Sequence, residues 1–266
     1  MDKDTQKDGL AQVVGYMKSH WPSQVKPEWQ VDLAEYPAIL QKVLTDLTAG
    51  KTKKHHLVRI AGLSGSGKTT QLLPATEEMM ARKNLKPVLI AARVFAVYHP
   101  HYQEIREFYG EAKVREMTDE FATVMMFLVL DAVTRRGYDI ILDVTLLDPM
   151  IEGILLKMLD GNKYESLILM IAVSPEVTER HLGGRKWRHA KATEQEFMRA
   201  TQEAMKFYAR KAPKMRIVVW TVYEEKPVYD GAVGGSLESF SKYSSVVEIP
   251  EHDEDELRQA KIEYLS

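Results

Sequence analysis

The 266-residue chain contains no cysteine, which excludes disulfides, thiolate catalysis and zinc held by thiolates. It has almost no excess of either charge: 36 Lys and Arg against 38 Asp and Glu give a formal net charge of −2. Affinity for nucleic-acid backbones comes from clustered cations, so a chain without a basic surplus is not built as a dedicated nucleic-acid binder. No run approaches the roughly 20 apolar residues that span a bilayer, and the opening "MDKDTQKDG" has no apolar core of the signal-peptide kind. A cytoplasmic protein without a membrane partner is expected. Internal repeats and low-complexity tracts are missing too, and the one dense charge run, "EHDEDE" near the C-terminus, reads as a solvated helix start. What is present, 45% hydrophobic and 28% charged residues, is the composition of a globular protein with a sizeable core.

The apolar residues change their period near residue 55. Before it, Leu10, Val13, Val14 and Met17, then Leu40, Val43, Leu44 and Leu47, recur at helical spacing; Gly50 is a helix stop and the basic "KTKKHH" reads as a linker. After it, short apolar runs at 57–61, 88–92, 138–144, 167–173 and 217–222 alternate with helical patterns from about 68 and over 117–136, 149–159 and 193–210. That alternation predicts an α/β fold, a mostly parallel sheet flanked by helices. The expected organisation is a helical extension over 1–55 and an α/β domain over 56–266.

Between the first strand and the helix that follows stands "GLSGSGKT", which satisfies G-x-x-x-x-G-K-[ST]. Gly62, Gly65 and Gly67 let the backbone curl so that its amides face phosphate oxygens, and the following helix adds its positive end. Lys68 is placed to reach the β and γ phosphates and Thr69 to ligate magnesium. Together with Ser64, Ser66 and Thr70 these residues form the expected site for a nucleoside triphosphate in a P-loop NTPase fold, and the motif is silent on what is done with the nucleotide.

Asp143 closes the apolar run "YDIILDVT", where a carboxylate at the carboxyl end of a strand beside the phosphate turn can orient magnesium or contact an acceptor hydroxyl. It reads alternatively as a strand-end residue capping the next helix, the role assigned to Asp148 before Pro149. In "TERHLGGRKWRHAK", Arg180, Arg185, Lys186, Arg188 and Lys191 surround a Gly183-Gly184 hinge. Such a segment can close over a triphosphate, with Arg180 and Arg188 as the phosphate contacts, or it is a solvated basic helix face.

The order of "GLSGSGKTT", "RVFAVYHPHYQEIREFYG", "RRGYDIILDVT", "ILMIAVSPEVTERHLGGR" and "RIVVWTVYEEKPVYDG", spanning about residues 57 to 232, resembles the zeta-toxin family of bacterial toxin–antitoxin systems. The resemblance implies a small-molecule kinase that takes ATP or GTP with Mg2+ and phosphorylates a sugar hydroxyl of UDP-N-acetylglucosamine. Lys68 and Thr69 match the family's phosphate-binding and magnesium-binding residues, and two of Arg180, Arg188 and Lys191 match its lid cations.

The acceptor side departs from the pattern. Where the family carries its catalytic aspartate, six residues before the His of the "HP" pair, this chain has Arg93; where the family reads Glu-Gly-Thr it reads Asp143-Val144-Thr145; a further acidic position falls near Phe127. Arg93, His99, Asp143 and Thr145 are accordingly the expected acceptor contacts. Three readings stay open: a different acceptor with Asp143 as the base, an anionic acceptor gripped by Arg93, or a nucleotide-binding pseudo-enzyme without transfer. The resemblance also implies an antitoxin partner; the amphipathic helices of residues 1–50, ahead of a basic linker, read either as such an inhibitor supplied in cis or as an extension that only packs on the sheet.

The other features are weaker. His55, His56, His99 and His101, with Glu104, form no compelling metal pattern. His99 reads instead as a residue that fixes the acceptor loop by hydrogen bonds. Phe95, Tyr98 and Tyr102 read as core or as acceptor-pocket lining, and Met79, Met80, Met125 and Met126 as core.

Overall fold

The run Leu57–Ala61 is almost wholly withdrawn from solvent, as a strand inside a parallel sheet must be when helices cover both its faces. In the computed structural model, which describes residues 15, 25–62, 66–144, 163–171, 216–220, 224–231 and 253–266, it forms the middle of β1 (His56–Gly62). The remaining strands are β2 (Val88–Ile90), β3 (Ile140–Asp143), β4 (Glu165–Ile171), β5 (Arg216–Trp220) and β6 (Tyr229–Asp230). The α-helices are α1 (Tyr36–Thr48), α2 (Leu73–Arg82), α3 (Ala92–Phe95), α4 (Tyr102–Tyr109), α5 (Glu111–Met117), α6 (Asp119–Arg135) and α7 (Glu254–Leu265). β1 to β5 coincide with the five apolar runs of the sequence. The helical patterns at 149–159 and 193–210, and that of Leu10 to Met17, lie outside the described residues.

The chain divides into two compact units, residues 51–87 with 137–266 and residues 1–50 with 88–136. In the former, the strand order is β3-β1-β4-β5-β6, parallel except for the antiparallel pair β5 and β6. The register sets Ile60 beside Asp143 on one side of β1 and Gly62 beside Ile171 on the other, so the carboxyl ends of three strands gather at one edge. Helix α2 packs on β3, and α7 packs on α2 and on the turn that precedes it. The charge run before α7 does start a helix: the Asp253 carboxylate accepts from the amides of Asp255 and Glu256 as an N-cap.

In the other unit, α6 packs against α1, α3 and β2. Helix α1 buries Tyr36, Val43 and Leu44 and is followed by Gly50 at φ 69°, a left-handed stop. The pattern read as one helix over 117–136 is α6, begun after Thr118, whose hydroxyl turns back to the Val114 carbonyl (2.9 Å). No described helix is long and apolar enough to cross a membrane.

The basic stretch read as a linker is stitched into the sheet-bearing unit instead. Thr52 exchanges hydrogen bonds with Lys86, and the amides of Lys54 and His56 both donate to the Asp139 carboxylate (3.2 and 3.0 Å). The His56 ring lies 3.1 Å from the same oxygen. Burial pushes the Asp139 carboxyl up, but hydrogen bonds from Thr52, His56 and Lys54 outweigh it and hold the group below the usual carboxylate range. The cause is a buried carboxylate that must be satisfied, which no periodicity of apolar residues reports.

At the far edge of the sheet, Asp230 is buried between the Arg216 guanidinium (3.1 and 2.6 Å) and the Tyr264 hydroxyl (2.8 Å) of α7. Lys261 of the same helix is fully buried, its ammonium donating to the carbonyls of Glu224 (3.3 Å) and Leu257 (3.4 Å). Burial lowers its pKa to about 8, against a partial offset from the Glu224 charge.

Two stability measurements test these assignments. Asp139→Ala strands two backbone amides and should cost about 2 to 3 kcal/mol in urea unfolding at pH 7. Because the folded pKa is depressed, that contribution is present above the ordinary carboxylate value and fades as pH falls through the folded one, so wild type and variant should converge in acid. For Lys261 the folded pKa lies below the unfolded value, and the unfolded chain binds the extra proton. Stability should therefore climb by roughly 2 to 3 kcal/mol between pH 8 and pH 10, and Lys261→Met should abolish the climb.

Candidate nucleotide site and acceptor loop

The phosphate turn begins where β1 runs out of room for side chains. Gly62 has φ 145°, and a Cβ there would lie 2.9 Å from the Ile171 carbonyl oxygen and 3.0 Å from the Ser66 hydroxyl. Only glycine fits both the conformation and the space. Gly67, at φ 94°, is left-handed and launches the turn Lys68–Leu72, which is wound as a π-helix rather than the α-helix expected from residue 68. Pro74 explains the difference: it has no amide to give the Thr70 carbonyl and its ring crowds that position, so the Leu73 amide reaches back to the Lys68 carbonyl before α2 can start.

Within the turn, Lys68 is buried to 9% exposure and its ammonium donates to the Gly62 carbonyl at 2.7 Å. The Ser66 hydroxyl is completely buried and meets no hydrogen-bond partner among the described residues, and the same holds for the Gln71 side-chain carbonyl. A buried hydroxyl left over beside a buried ammonium and a cradle too tight for a Cβ is what a phosphate would satisfy. Thr69 and Thr70 are exposed; the Thr70 hydroxyl makes only a long contact of 3.4 Å to Gly67. Asp143, 4% exposed, ends β3 level with Ile60, two residues short of Gly62 on the adjacent strand. Thr69 and Asp143 supply the oxygen donors a magnesium ion prefers. Ser64, Gly65, Thr145, Arg180 and Arg188 lie outside the described residues, as do Asp148, Arg185, Lys186 and Lys191.

Arg93 and His99 belong to the other unit, after the carboxyl end of β2. Ala91 is extended, α3 carries the half-buried Arg93, and a single turn over Ala96–Tyr98 leads to His99. Pro100 bars His99 from helical dihedrals, and it is extended at φ −60°, ψ 127°. The His99 amide donates to Ala96 (3.1 Å), its carbonyl accepts from Tyr102 (2.9 Å), and its Nδ1 accepts from the His101 amide (3.1 Å). Burial, with a smaller contribution from His101, lowers the His99 pKa to about 4 despite Glu104. The ring is neutral at physiological pH, and with Nδ1 taken as an acceptor the proton is on Nε2.

Phe95 and Phe127 are core residues, as are Met79, Met80, Met125 and Met126. The histidines disperse: His55 tilts against Tyr164, His56 serves Asp139, and among the described residues no group of three or more His, Asp or Glu gathers as a metal would require. Sequence reasoning missed Gln71, hidden in an ordinary helix pattern, and Tyr36, whose only signal was its place beside Pro37 at a helix start.

Known proteins resemble this chain in sequence and fold. A family profile described as Zeta toxin matches residues 41–233. The chain is 29% identical over 147 residues to Toxin PezT of Streptococcus pneumoniae serotype 4, a match covering 54% of this chain and 56% of that one, so it spans about half the length of this curated relative. A structure from the PezAT chromosomal toxin–antitoxin system of the same species superposes with a TM-score of 0.66 at 21% identity, covering 89% of this chain and 98% of that chain. A structure of AvrRxo1-ORF1:-ORF2 with ATP gives a TM-score of 0.52 at 11% identity, over 87% and 86% of the two chains. At such identities the superpositions establish the fold alone. The profile spans most of the chain and takes in both the phosphate turn and the loop around His99, and on that ground the protein belongs to the Zeta toxin family.

Proposed function

We propose that the protein is a kinase that transfers the γ-phosphoryl group of ATP or GTP to a hydroxyl of a small molecule, a UDP-sugar or nucleotide-like compound, and acts as the toxin of a toxin–antitoxin pair in the cytoplasm. The observation that carries this reading is the buried Lys68 ammonium beside the Ser66 hydroxyl, which has no partner among the described residues, in a turn where Gly62 leaves no space for a side chain. PezT is named as a toxin, the PezAT structure comes from a toxin–antitoxin system, and AvrRxo1-ORF1:-ORF2 was solved with ATP. These relatives support a triphosphate donor and an antitoxin partner.

In the proposed reaction the acceptor oxygen forms a bond to the γ-phosphorus as the bond to the β–γ bridging oxygen breaks, releasing the nucleoside diphosphate. Lys68 exchanges the Gly62 carbonyl for phosphate oxygens and offsets their charge. Thr69 and Asp143 would hold a magnesium ion, which would supply positive charge to offset that of the phosphates. Asp143 is also the carboxylate to which the acceptor proton passes, since Arg93 cannot accept one. Arg93, His99 and Thr145 orient the acceptor, and Arg180 and Arg188 close over the transferring group. Phosphoryl transfer depends chiefly on positioning and charge neutralisation, so the loss of the family's aspartate redirects the acceptor rather than ending catalysis. A second reading, nucleotide binding without transfer, is favoured by one observation, the half-buried arginine in the position of that aspartate.

The test incubates the protein with γ-labelled ATP, magnesium and a panel of UDP-sugars, nucleotides and phosphosugars. Label should pass to one acceptor class and fall by roughly 100-fold or more in Lys68→Ala and in Asp143→Ala. ATP binding without a labelled product for any acceptor supports the second reading. Gly62→Ala should weaken ATP binding about tenfold or more, because the added methyl must push back the Ile171 carbonyl at a cost of ~1 to 3 kcal/mol, as read by equilibrium dialysis.

A further inference from the structure

The loop around His99 is held by more than its own backbone. The Tyr98 hydroxyl is raised in pKa, first by partial burial and then by the charge and hydrogen bond of Asp46 on α1. The next residue, His99, is 5% exposed and sets its ring edge-on to Phe121 of α6, with centroids 4.8 Å apart and planes at 68°. Phe121 in turn stacks on Tyr36, at 5.7 Å and 29°. Tyr36 is the first residue of α1 and is 4% exposed. Val25, Gln30 and Val31, from the segment before α1, join Tyr36, His99 and Phe121 around a cavity of about 20 Å³, room for a single water.

The loop is therefore backed at His99 by the first residue of α1, through Phe121. Tyr36 lies upstream of the segment matched by the family profile. A helix whose first residue backs the histidine in this way leaves the loop little freedom to pivot.

We propose that α1 is a strap that positions the acceptor loop, with Tyr36 acting through Phe121 to set the His99 ring. The inference rests on the kinase reading only for its catalytic consequence; the grip on the loop stands apart from it. His99 offers one donor, Nε2–H, and its direction is set by the Nδ1 bond from His101 and by the aromatic stack. A displacement of about 1 Å in such a group is enough to lose much of an acceptor's reactivity. Helix α1 could otherwise be an inhibitor in cis, and the two roles have opposite signs: weakening an inhibitor raises transfer, whereas weakening a strap lowers it.

The experiment uses the full-length protein with 15N-labelled histidine. Charged and titratable groups that bear on His99 are His101 and Glu104 on its own segment, and Glu120 of α6 and Tyr36 of α1, which line the same cavity. In the wild type, NMR should show His99 as the neutral Nε2–H tautomer with a pKa of about 4. Tyr36→Phe, which keeps the stack, should leave this unchanged. Tyr36→Ala should shift the His99 pKa toward about 6.5 and average its tautomers, with Tyr36→Leu used if the alanine variant does not fold. ATP affinity, read by equilibrium dialysis with magnesium, should change by less than about twofold, while KM for whichever panel acceptor takes label should rise about tenfold or more. A His99 spectrum unaltered in Tyr36→Ala overturns the strap, as does transfer that increases in it. If no panel compound takes label, the His99 spectrum alone decides, so failure of the kinase reading stays distinct from failure of this one.

Discussion

A buried ammonium must be given an oxygen, and Lys68 takes one from its own turn, the Gly62 carbonyl at 2.7 Å. Much of the sheet-bearing unit follows from that requirement. The carbonyl is in reach because Gly62 bends away from β1 at an angle that a side chain resists, close under the Ile171 backbone. Ile171 is there because β4 pairs in parallel along the full length of β1, and Asp143 is two residues back on the other side because β3 pairs in parallel with Leu57–Ile60 and ends there. A nucleotide phosphate exchanges one oxygen for another at the ammonium, which asks for little rearrangement of charge.

The strands were legible because burial on both faces leaves an uninterrupted apolar run, and β1 to β5 fall on such runs. The glycine-lysine motif was legible because few local structures demand those residues at that spacing. Other features were hidden for physical reasons. The π turn depends on the absent amide of Pro74 acting on carbonyls a turn earlier, a backbone effect that leaves the apolar period intact. The segment Lys51–His55 looked like a linker because its residues are polar, yet its place is set by Asp139, some 85 residues away in sequence. The fully buried Lys261 was equally invisible, since a lysine in a charged helix reads as solvated until its neighbours are known.

The acceptor side was legible as a motif but not as a structure. "VYHP" marked the loop, and Pro100 explains why the turn before it stops at His99. The partners of that loop, Tyr36, Asp46 and Phe121, come from helices on either side of it in sequence and carry no signature of their own. Tyr36 in an amphipathic helix reads as one more core aromatic, which it also is. Its contact with Phe121 gives it a second role that only the packing reveals.

One consequence concerns the histidine itself. An imidazole that stays uncharged through the whole physiological range acts as a gauge of direction and not as a magnet. It can reward a ligand for presenting a lone pair at the right angle, but it gives no preference between an anion and a neutral molecule. In the proposed acceptor site such discrimination would fall to Arg93, whose guanidinium carries a permanent positive charge. Shape and sign would then be judged by separate residues, so a change of sugar or base and a change of net charge could each be accommodated without disturbing the other.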